Sequence, residues 1–324
     1  MRRLKKSLGY PCRTIRQRHT RRKALQEQGY RIGDLCAAFA VSRSGYHRAR
    51  TATPSARACK DAQLAAQLRE LHRQSRGTYG RPRLTQALRQ GGWHHSGKRV
   101  ARLLRSLGLR GVRRGRYRPQ TTDSRHENGV TPNLLRELAP PSAPDQVWVA
   151  DICQRPPALP CGLPAAGYLA PLGSYIPTRE GWLYVAGVLD RCSRRVLGLA
   201  MSVRLDTALP EAALRQALAR RGRPQGVVHH SDRGIQYTSA HYRQILQQHR
   251  CEVSMSRRAN CYDNAHMESF WGTLKAELLA GRTFATRAEA RLAIFEYVEV
   301  FYNRTRLHSA LGYQSPVDFE NKLN

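Results

Sequence analysis

From residue 146 onward, two patterns of hydrophobic and polar positions alternate along the chain. Short apolar runs with the length of β-strands predict strands at residues 147–152, 182–189, 195–203, 226–231 and 251–255. Apolar residues at helical spacing predict helices at residues 209–221, at 239–249, from 263 onward and at 286–302. The order of these elements predicts an α/β core, a mixed five-stranded sheet with helices on both faces.

Upstream of this core the pattern is entirely helical. In residues 31–50, apolar residues recur at helical spacing, and Ser42 is placed to cap a second helix. Such a pair of helices is typical of a helix–turn–helix, in which the second helix enters the major groove of DNA. That helix would carry Arg43, Tyr46 and Arg48. A helical hairpin that only packs within the protein has the same pattern, and both interpretations stay open.

A second helical unit follows in residues 60–107. Leucines repeat on one face of three successive segments, Pro82 stands in the first turn of the second segment, and Gly108 ends the third. The remaining faces are basic, which suits DNA as well as a solvated surface. We therefore predict that residues 31–109 form all-α DNA-binding units of the helix–turn–helix type.

The flanks of these units differ in composition. Residues 1–30 are rich in Lys and Arg and are predicted to be a basic arm. Residues 110–145 begin with five arginines within nine residues and then become polar and proline-rich, which predicts a linker. The predicted organisation is thus a basic arm (1–30), helical units (31–109), a linker (110–145) and the α/β core (146–324).

The net charge indicates the class of partner. The 55 Lys and Arg residues outnumber the 23 Asp and Glu residues, so the formal net charge is +32. This excess costs self-repulsion in the folded state, and basic residues occur along the whole length, so nucleic acid is favoured over a membrane surface. No apolar run has the roughly 18 residues of a membrane span, and the eight cysteines include no C-x-x-C pair. We expect a cytoplasmic, nucleoid-associated protein with reduced thiols.

Acidic residues are scarce, and two of them end predicted strands. Asp151 closes the first strand and Asp232 the fourth, and 35 residues separate Asp232 from Glu268 in a predicted helix. Carboxylates on rigid elements are suited to hold two Mg²⁺ ions about 4 Å apart, which neutralise charge during phosphodiester cleavage. Asn264, one turn before Glu268, and Lys275, two turns after it, share its face, where Lys275 would reach a DNA phosphate.

Each of these acids also has a structural interpretation. Asp232 in Ser-Asp-Arg-Gly is typical of a turn, and Glu268 taken alone is typical of a helix surface. Asp190 follows another apolar run and is a rival carboxylate. Because Asp190 begins the short segment Asp-Arg-Cys-Ser, we interpret it as part of a tight connection between strands.

Longer motifs carry more information than spacing. Three of them are HSDRGIQYTS (230–239), SMSRRANCYDNAHMESFWGTLKAEL (254–278) and EYVEVFYNRTRLHSALGYQSPVDFE (296–320). Together with DQVWVADI (145–152) and RGTYG (76–80), they resemble the transposases of bacterial insertion sequences with a retroviral-integrase-type catalytic core. Within this DDE superfamily, the chain is similar to the second-frame products of the group whose transposase is made by frameshifting.

The resemblance implies a ribonuclease-H-like fold and DNA cleavage and strand transfer at the terminal inverted repeats of an insertion sequence. The family's triad falls on Asp151, Asp232 and Glu268, with two Mg²⁺ ions as cofactor and Mn²⁺ as a substitute. Its DNA-contacting lysine falls on Lys275. The implied partners are double-stranded DNA of the element ends and of the target, further copies of the chain on that DNA, and an upstream-frame product.

One departure from the family pattern lies beside Asp151. In the family, the first strand runs directly into a segment like residues 175–178, whereas residues 153–174 intervene here and include five prolines. Proline removes a hydrogen-bond donor from a sheet, so this insertion is predicted to be a loop. A loop beside a metal ligand leaves open a catalytically impaired remnant that only binds DNA. A general nuclease of the ribonuclease-H type is a further alternative, although the helical units do not suit it.

Overall fold

The computed structural model describes residues 29–38, 42–45, 47, 55–113, 131–152, 176–257 and 261–323. These residues fall into two compact units, one within residues 1–66 and one within 67–324. The insertion at 153–174, and residues 1–28 and 114–130 of the predicted arm and linker, lie outside the described set. Within that set, no helix is both long enough and apolar enough to cross a bilayer.

The first unit contains the start of the predicted helix–turn–helix. Helix α1 (Ile32–Ala38) buries Leu35 and Cys36, as the helical pattern predicts. Residues 43–45 are helical, and the Gly45 N–H donates to Ser42 Oγ over 3.1 Å. This hydrogen bond confirms Ser42 as the cap of a second helix.

Three helices begin the region that leads to the sheet: α2 (Ala56–Gln74), α3 (Arg81–Gln90) and α4 (Gly97–Leu107). Pro82 lies in the first turn of α3, where its missing N–H costs nothing. The hydroxyl of Ser96 caps α4, and Gly108 ends it with a left-handed backbone (φ 68°). The predicted starts and ends of α3 and α4 are therefore confirmed, whereas α2 begins four residues before its predicted start at residue 60.

The segment between α2 and α3 packs on the C-terminal part of the second unit. The Leu307 N–H donates to Tyr79 Oη over 2.7 Å, and Arg83 Nε donates to the Leu307 carbonyl over 2.9 Å. Arg76 forms an ion pair with Glu296. These contacts join residues that are more than 200 positions apart, so α3 is fixed against the end of the core.

The described residues form six strands: β1 (Val147–Ile152), β2 (Ile176–Thr178), β3 (Gly181–Asp190), β4 (Val196–Ser202), β5 (Val228–Ser231) and β6 (Glu252–Met255). Strand β1 lies between β3, which is antiparallel, and β5, which is parallel; β6 extends the parallel side, and β4 pairs with β3. The five predicted strands are confirmed, but the sheet has six, because β2 pairs with the first residues of β3. With three residues, one of them Pro177, β2 is too short to show a strand pattern.

In the part of the chain that the structure describes, six α-helices follow the first strand: α5 (Ala208–Arg220), α6 (Ile235–Thr238), α7 (Ala240–Gln248), α8 (Ala265–Leu274), α9 (Arg287–Glu296) and α10 (Pro316–Leu323). Trp148, Ala150 and Val188 belong to one core with residues of α5 and α7. Asp151 and Gly187 point to the opposite face, because successive residues of a strand alternate, and both meet α8 there. Helices therefore cover both faces, as predicted.

Candidate active site

Asp151 lies in the middle of the sheet's α8 face, one residue before the end of β1. It pairs with Gly187 on β3. The indole Nε1–H of Trp271, on α8, donates to Asp151 Oδ2 over 3.1 Å. A side chain at Gly187 would lie 3.1 Å from Met267 and 3.3 Å from Trp271, so the glycine leaves room for the indole beside the carboxylate.

Asp232 follows directly after β5, which is the strand next to β1 in the sheet. Its Oδ1 accepts the Gly234 N–H over 2.9 Å, so the turn that was an alternative interpretation is present. Strand β5 is held towards its end by His230, whose ring nitrogens lie 2.8 and 3.0 Å from the hydroxyls of Ser254 and Ser256. The turn and the strand together fix the direction of Asp232.

Glu268 lies in the first turn of α8, and Asn264 precedes that helix. Asn264 Nδ2 donates to the Ala150 carbonyl over 2.9 Å, which ties the start of α8 to β1 beside Asp151. Lys275 begins a π-helical turn (Lys275–Leu279) after α8 and is only 9% exposed. The predicted roles of Asn264 and Lys275 as DNA contacts stay predictions, but both side chains are buried at the site.

The charges of the three acids interact. Burial raises the pKa of Asp151 well above its ordinary value, and repulsion by Asp232 and then Glu268 raises it further, while Trp271 and Lys275 oppose the shift. Burial also raises the pKa of Glu268. In the described part of the chain, no three His, Cys, Asp or Glu side chains converge as the ligands of one ion. Asp151 is thus the acid whose charge interacts with both of the other two.

Asp190, the rival carboxylate, has a structural role. It is fully buried, and its Oδ1 accepts both the N–H and the hydroxyl of Ser193, over 2.7 and 3.0 Å. Its Oδ2 accepts the Asp145 N–H over 2.7 Å. These bonds close the turn from β3 to β4 and confirm the structural interpretation.

The helix–turn–helix residues are described only in part. Tyr46 and Arg48 lie outside the described residues. The guanidinium of Arg43 lies against Gly33, close to the place where a side chain at Gly33 would stand. Their contacts with DNA stay predictions.

Two aromatic residues at the site were missed from the sequence. Trp271 binds Asp151, and its position three residues after Glu268 on one helix was a signal that it shares that side of the helix. Tyr237 is fully buried, and the charges of Asp151 and Asp232 contribute to the raised pKa of its hydroxyl. No spacing in the sequence indicates this second neighbour, because α6 approaches the carboxylates only in the folded chain.

Family models of known domains match most of the chain. Two models described as integrase core domain match residues 141–261 and 268–323, and one described as HTH-like domain matches residues 59–117. Asp151 and Asp232 lie in the first match, and Glu268 is the first residue of the second. The HTH-like match covers α3, α4 and most of α2, and begins after the helix–turn–helix predicted at 31–50.

Three known proteins are similar over nearly their whole lengths. The chain is 42% identical over 290 residues to the "Insertion element IS600 uncharacterized 31 kDa protein" of Shigella sonnei, covering 90% of this chain and 98% of that protein. It is 38% identical over 300 residues to "Transposase InsF for insertion sequence IS3A" of Escherichia coli K12, covering 90% and 95%. It is 37% identical over 257 residues to "Transposase for insertion sequence element IS904" of Lactococcus lactis, covering 79% and 93%.

Proposed function

Since the chain belongs to the insertion-sequence transposases, DDE polynucleotidyl transferases with an integrase core, we propose that Asp151, Asp232 and Glu268 are its catalytic carboxylates. In this proposal the enzyme cleaves DNA at the terminal inverted repeats of its element and joins the freed 3′-hydroxyl to target DNA. The observation that carries the proposal is geometric: Asp151 and Asp232 stand at the ends of the paired strands β1 and β5. Hydrogen bonds from Trp271 and Asn264 tie the helix of Glu268 to β1 beside Asp151.

The three carboxylates suit divalent metal ions. Asp151 is repelled by the other two acids, and a cation between them would relieve that repulsion. Carboxylate oxygens are the ligands that Mg²⁺ prefers in proteins, and Mn²⁺ accepts the same set. Bound to Asp151, Asp232 and Glu268, such ions would neutralise charge on the phosphodiester and on the leaving oxygen.

The side chains around the acids would keep them in place. Trp271 occupies Oδ2 of Asp151 and so fixes the orientation of the carboxylate. Asn264 holds the start of α8 against β1, which fixes Glu268 relative to Asp151. Lys275 favours the ionised form of Asp151, the form that binds a cation. Trp271, Asn264 and Lys275 are therefore positioning residues in this proposal.

The HTH-like domain and the integrase core imply that the protein binds DNA. We propose that the bound DNA includes the element ends and the target, and that several copies of the chain assemble on it. A product of an upstream frame would join this assembly. The net charge of +32 comes from basic residues along much of the chain and supports a polyanionic partner.

Strand cleavage and joining in vitro test the triad. The substrate is a duplex that carries the element's terminal inverted repeat, with Mg²⁺ or Mn²⁺ added or removed by chelation. We expect Asp232→Asn and Glu268→Gln to abolish cleavage and joining while the protein still binds the duplex. The matched control is Glu252→Gln, because Glu252 is an exposed acid at the start of β6. If the triad variants cleave as well as the control, the assignment is wrong.

A second candidate function, DNA binding without catalysis, rests on the interruption after Asp151. Strand β1 ends at Ile152, which pairs with Ala186, and β2 starts at Ile176, which pairs with Leu183. Two residues separate these partners on β3. A strand that continued from Ile152 along that edge would therefore need only two residues before Ile176, whereas 23 are present.

Deletion of residues 154–174 tests whether the insertion impairs catalysis. This deletion leaves Cys153 and Tyr175 between Ile152 and Ile176, which is the spacing that the pairing with β3 requires. If the insertion is the lesion, the deletion should raise or restore cleavage. Deleting one residue more should not, because a slip of one residue turns every side chain of β2 to the other face. An inactive natural chain that stays inactive after the matched deletion would contradict the role given to the insertion.

A further inference from the structure

A basic pocket lies beside α8 on a different side from Glu268. Its volume is about 300 Å³, and its lining comes from α3, from the turn between β3 and β4, from α8 and from the C-terminal segment. The residues of α8 that line it lie between about 60° and 160° around the helix from Glu268. Its polar lining consists mainly of Arg83, Arg194, His266, Tyr302, Arg306 and His308. None of the described residues that line it is acidic.

The arginines do not contribute equally to the charge of this pocket. Arg306 makes two hydrogen bonds with the buried carboxylate of Glu277, over 2.6 and 2.8 Å, so its charge is neutralised within the protein. Arg83 Nε donates to the Leu307 carbonyl, and the guanidinium lies over the Tyr79 ring, 5.7 Å from its centroid. Burial lowers the pKa of Arg194, and Arg191 adds to this shift, whereas Tyr302, Cys192 and Asp190 oppose it. Arg83 and Arg194 thus bring guanidinium groups into a pocket whose described lining contains no carboxylate.

His308 adds an unsatisfied polar atom to the same pocket. Its ring packs edge-on against Tyr302, with 4.8 Å between the ring centroids. Its Nε2 is buried and has no hydrogen-bond partner among the described residues. A buried polar atom of this kind costs free energy until a ligand or a water molecule binds it.

We propose that this pocket binds a phosphate group, and that in the transposase this phosphate belongs to the backbone of the bound DNA. The guanidinium groups of Arg83 and Arg194 suit a phosphate, because each presents several donors in a fixed plane. The inference rests on the proposed function only in taking DNA as the substrate. A free phosphate ion offers the same chemistry and is distinguished below.

The place of the pocket favours DNA as the source of the phosphate. Arg83 lies on α3, inside the HTH-like match, and His266 lies on α8, the helix that carries Glu268. One phosphate held between these two helices would link the DNA-recognition part of the chain to the catalytic part. It would fix the distance between the bound DNA strand and the carboxylates.

The salt dependence of DNA binding by the full-length protein tests this proposal. The affinity for the terminal-repeat duplex is measured over a range of salt concentrations in the presence of a chelator, so that cleavage cannot contribute. Each lost phosphate contact lowers the slope of log K against log salt by about one. We expect this reduction for Arg194→Gln and for Arg83→Gln, and recovery for Arg194→Lys. The matched control is Arg215→Gln on the exposed side of α5, which should keep the wild-type slope.

A second measurement identifies the source of the phosphate. Inorganic phosphate should raise the Tm of the wild type and of Arg215→Gln more than that of Arg194→Gln. If this protection falls but the DNA slope is unchanged, the pocket binds free phosphate and the DNA assignment is overturned. If neither quantity changes in Arg194→Gln and Arg83→Gln, the whole proposal is overturned.

Circular dichroism of each variant shows whether it is folded. If Arg194→Gln is not folded, the measurements on Arg83→Gln test the proposal. The result is also separate from that of the triad. Asp232→Asn and Glu268→Gln should lose cleavage and keep the wild-type slope, so one proposal can fail without the other.

Discussion

On the face of the sheet covered by α5 and α7, the strands present almost only apolar side chains, and β4 approaches α5 so closely that a side chain at Gly198 would lie 1.9 Å from the Ala213 carbonyl oxygen. On the face covered by α8, the same strands present Asp151 next to Gly187, and an indole N–H and a buried amide bind the strand there. Both faces belong to the same sheet. They differ in what fills the space between sheet and helix.

This difference separates two tasks of the core. The α5 face contributes stability through close packing, in which a lost or added methyl group is felt directly. The α8 face exchanges part of that packing for polar groups around the carboxylate of Asp151. Its helix is secured by a buried ion pair, Glu277 with Arg306, to which the Tyr297 hydroxyl also donates over 2.8 Å. Stability and chemistry are thus placed on opposite sides of one sheet.

Gly198→Ala should have the largest effect, because the new methyl group would meet the backbone of α5 and not a side chain that can move. We expect a loss of more than about 4 kcal/mol in the free energy of unfolding, a range reached by few single substitutions. Urea denaturation measures it, and failure to obtain folded protein is the same result in stronger form.

The matched control is Gly187→Ala on the other face. There the atoms nearest to the methyl group belong to the side chains of Met267 and Trp271, at 3.1 and 3.3 Å. Overpacking of this kind costs about 1–3 kcal/mol. Equal losses for the two alanines would remove the distinction between a face packed on backbone and a face packed on side chains.

Glu277→Ala should have the next largest effect. It leaves the Arg306 guanidinium, which is 3% exposed, without its carboxylate partner. Removing one member of a buried ion pair costs about 3–5 kcal/mol, mostly because the remaining charge stays buried. Thermal or urea denaturation measures the loss. Glu70→Ala, which breaks an exposed pair with Arg73, should leave stability unchanged, and a comparable loss there would sink the argument from burial.

Trp271→Phe probes the chemical task of the α8 face. Phenylalanine keeps an aromatic ring at this position, but the hydrogen bond to Asp151 is lost. Loss of a group that orients a metal ligand reduces metal affinity or activity about 10- to 100-fold. We expect strand joining at limiting Mg²⁺ to fall in this range, with little change in the metal-free unfolding midpoint. Trp182→Phe, at an exposed tryptophan of β3, is the control, and an equal fall there would show that the indole bond is not the cause.

The features that could be predicted from the sequence divide in the same way between the apolar core and the polar α8 face. The strands of the shared core have apolar runs, and their places were predicted within two residues at most ends, because a continuous apolar run is a local property of the chain. Strand β2 was missed as an element, since three residues with Pro177 carry no period. The capping residues Ser42 and Ser96 were read from local chemistry, which the fold preserves.

The polar contacts of the α8 face were harder to predict. Asp151 and Trp271 are 120 residues apart, and Arg83 meets residues more than 200 positions away. No spacing in the sequence records such a meeting, because it depends on the sheet order and on how α3 docks. The chain contains so many arginines that the sequence does not distinguish the few that line the pocket from those that face solvent.

The pH dependence of the free energy of unfolding probes the face covered by α5 and α7 through His229. We expect the smallest effect here. His229 lies on the apolar face, 3.0 Å from the Tyr242 hydroxyl, and burial lowers its pKa to about 3. Because the unfolded value is about 6.5, the unfolded chain binds the proton more readily. The neutral ring therefore contributes stability above pH 6.5 that is lost as the pH falls. Between pH 7.5 and 5.5 this loss amounts to about 1.4 kcal/mol.

His229→Phe should reduce the pH dependence of the free energy of unfolding by this amount, whereas His94→Phe, at an exposed position, should not. A variant with unchanged pH dependence would show that the histidine is not buried as a neutral ring in the folded protein.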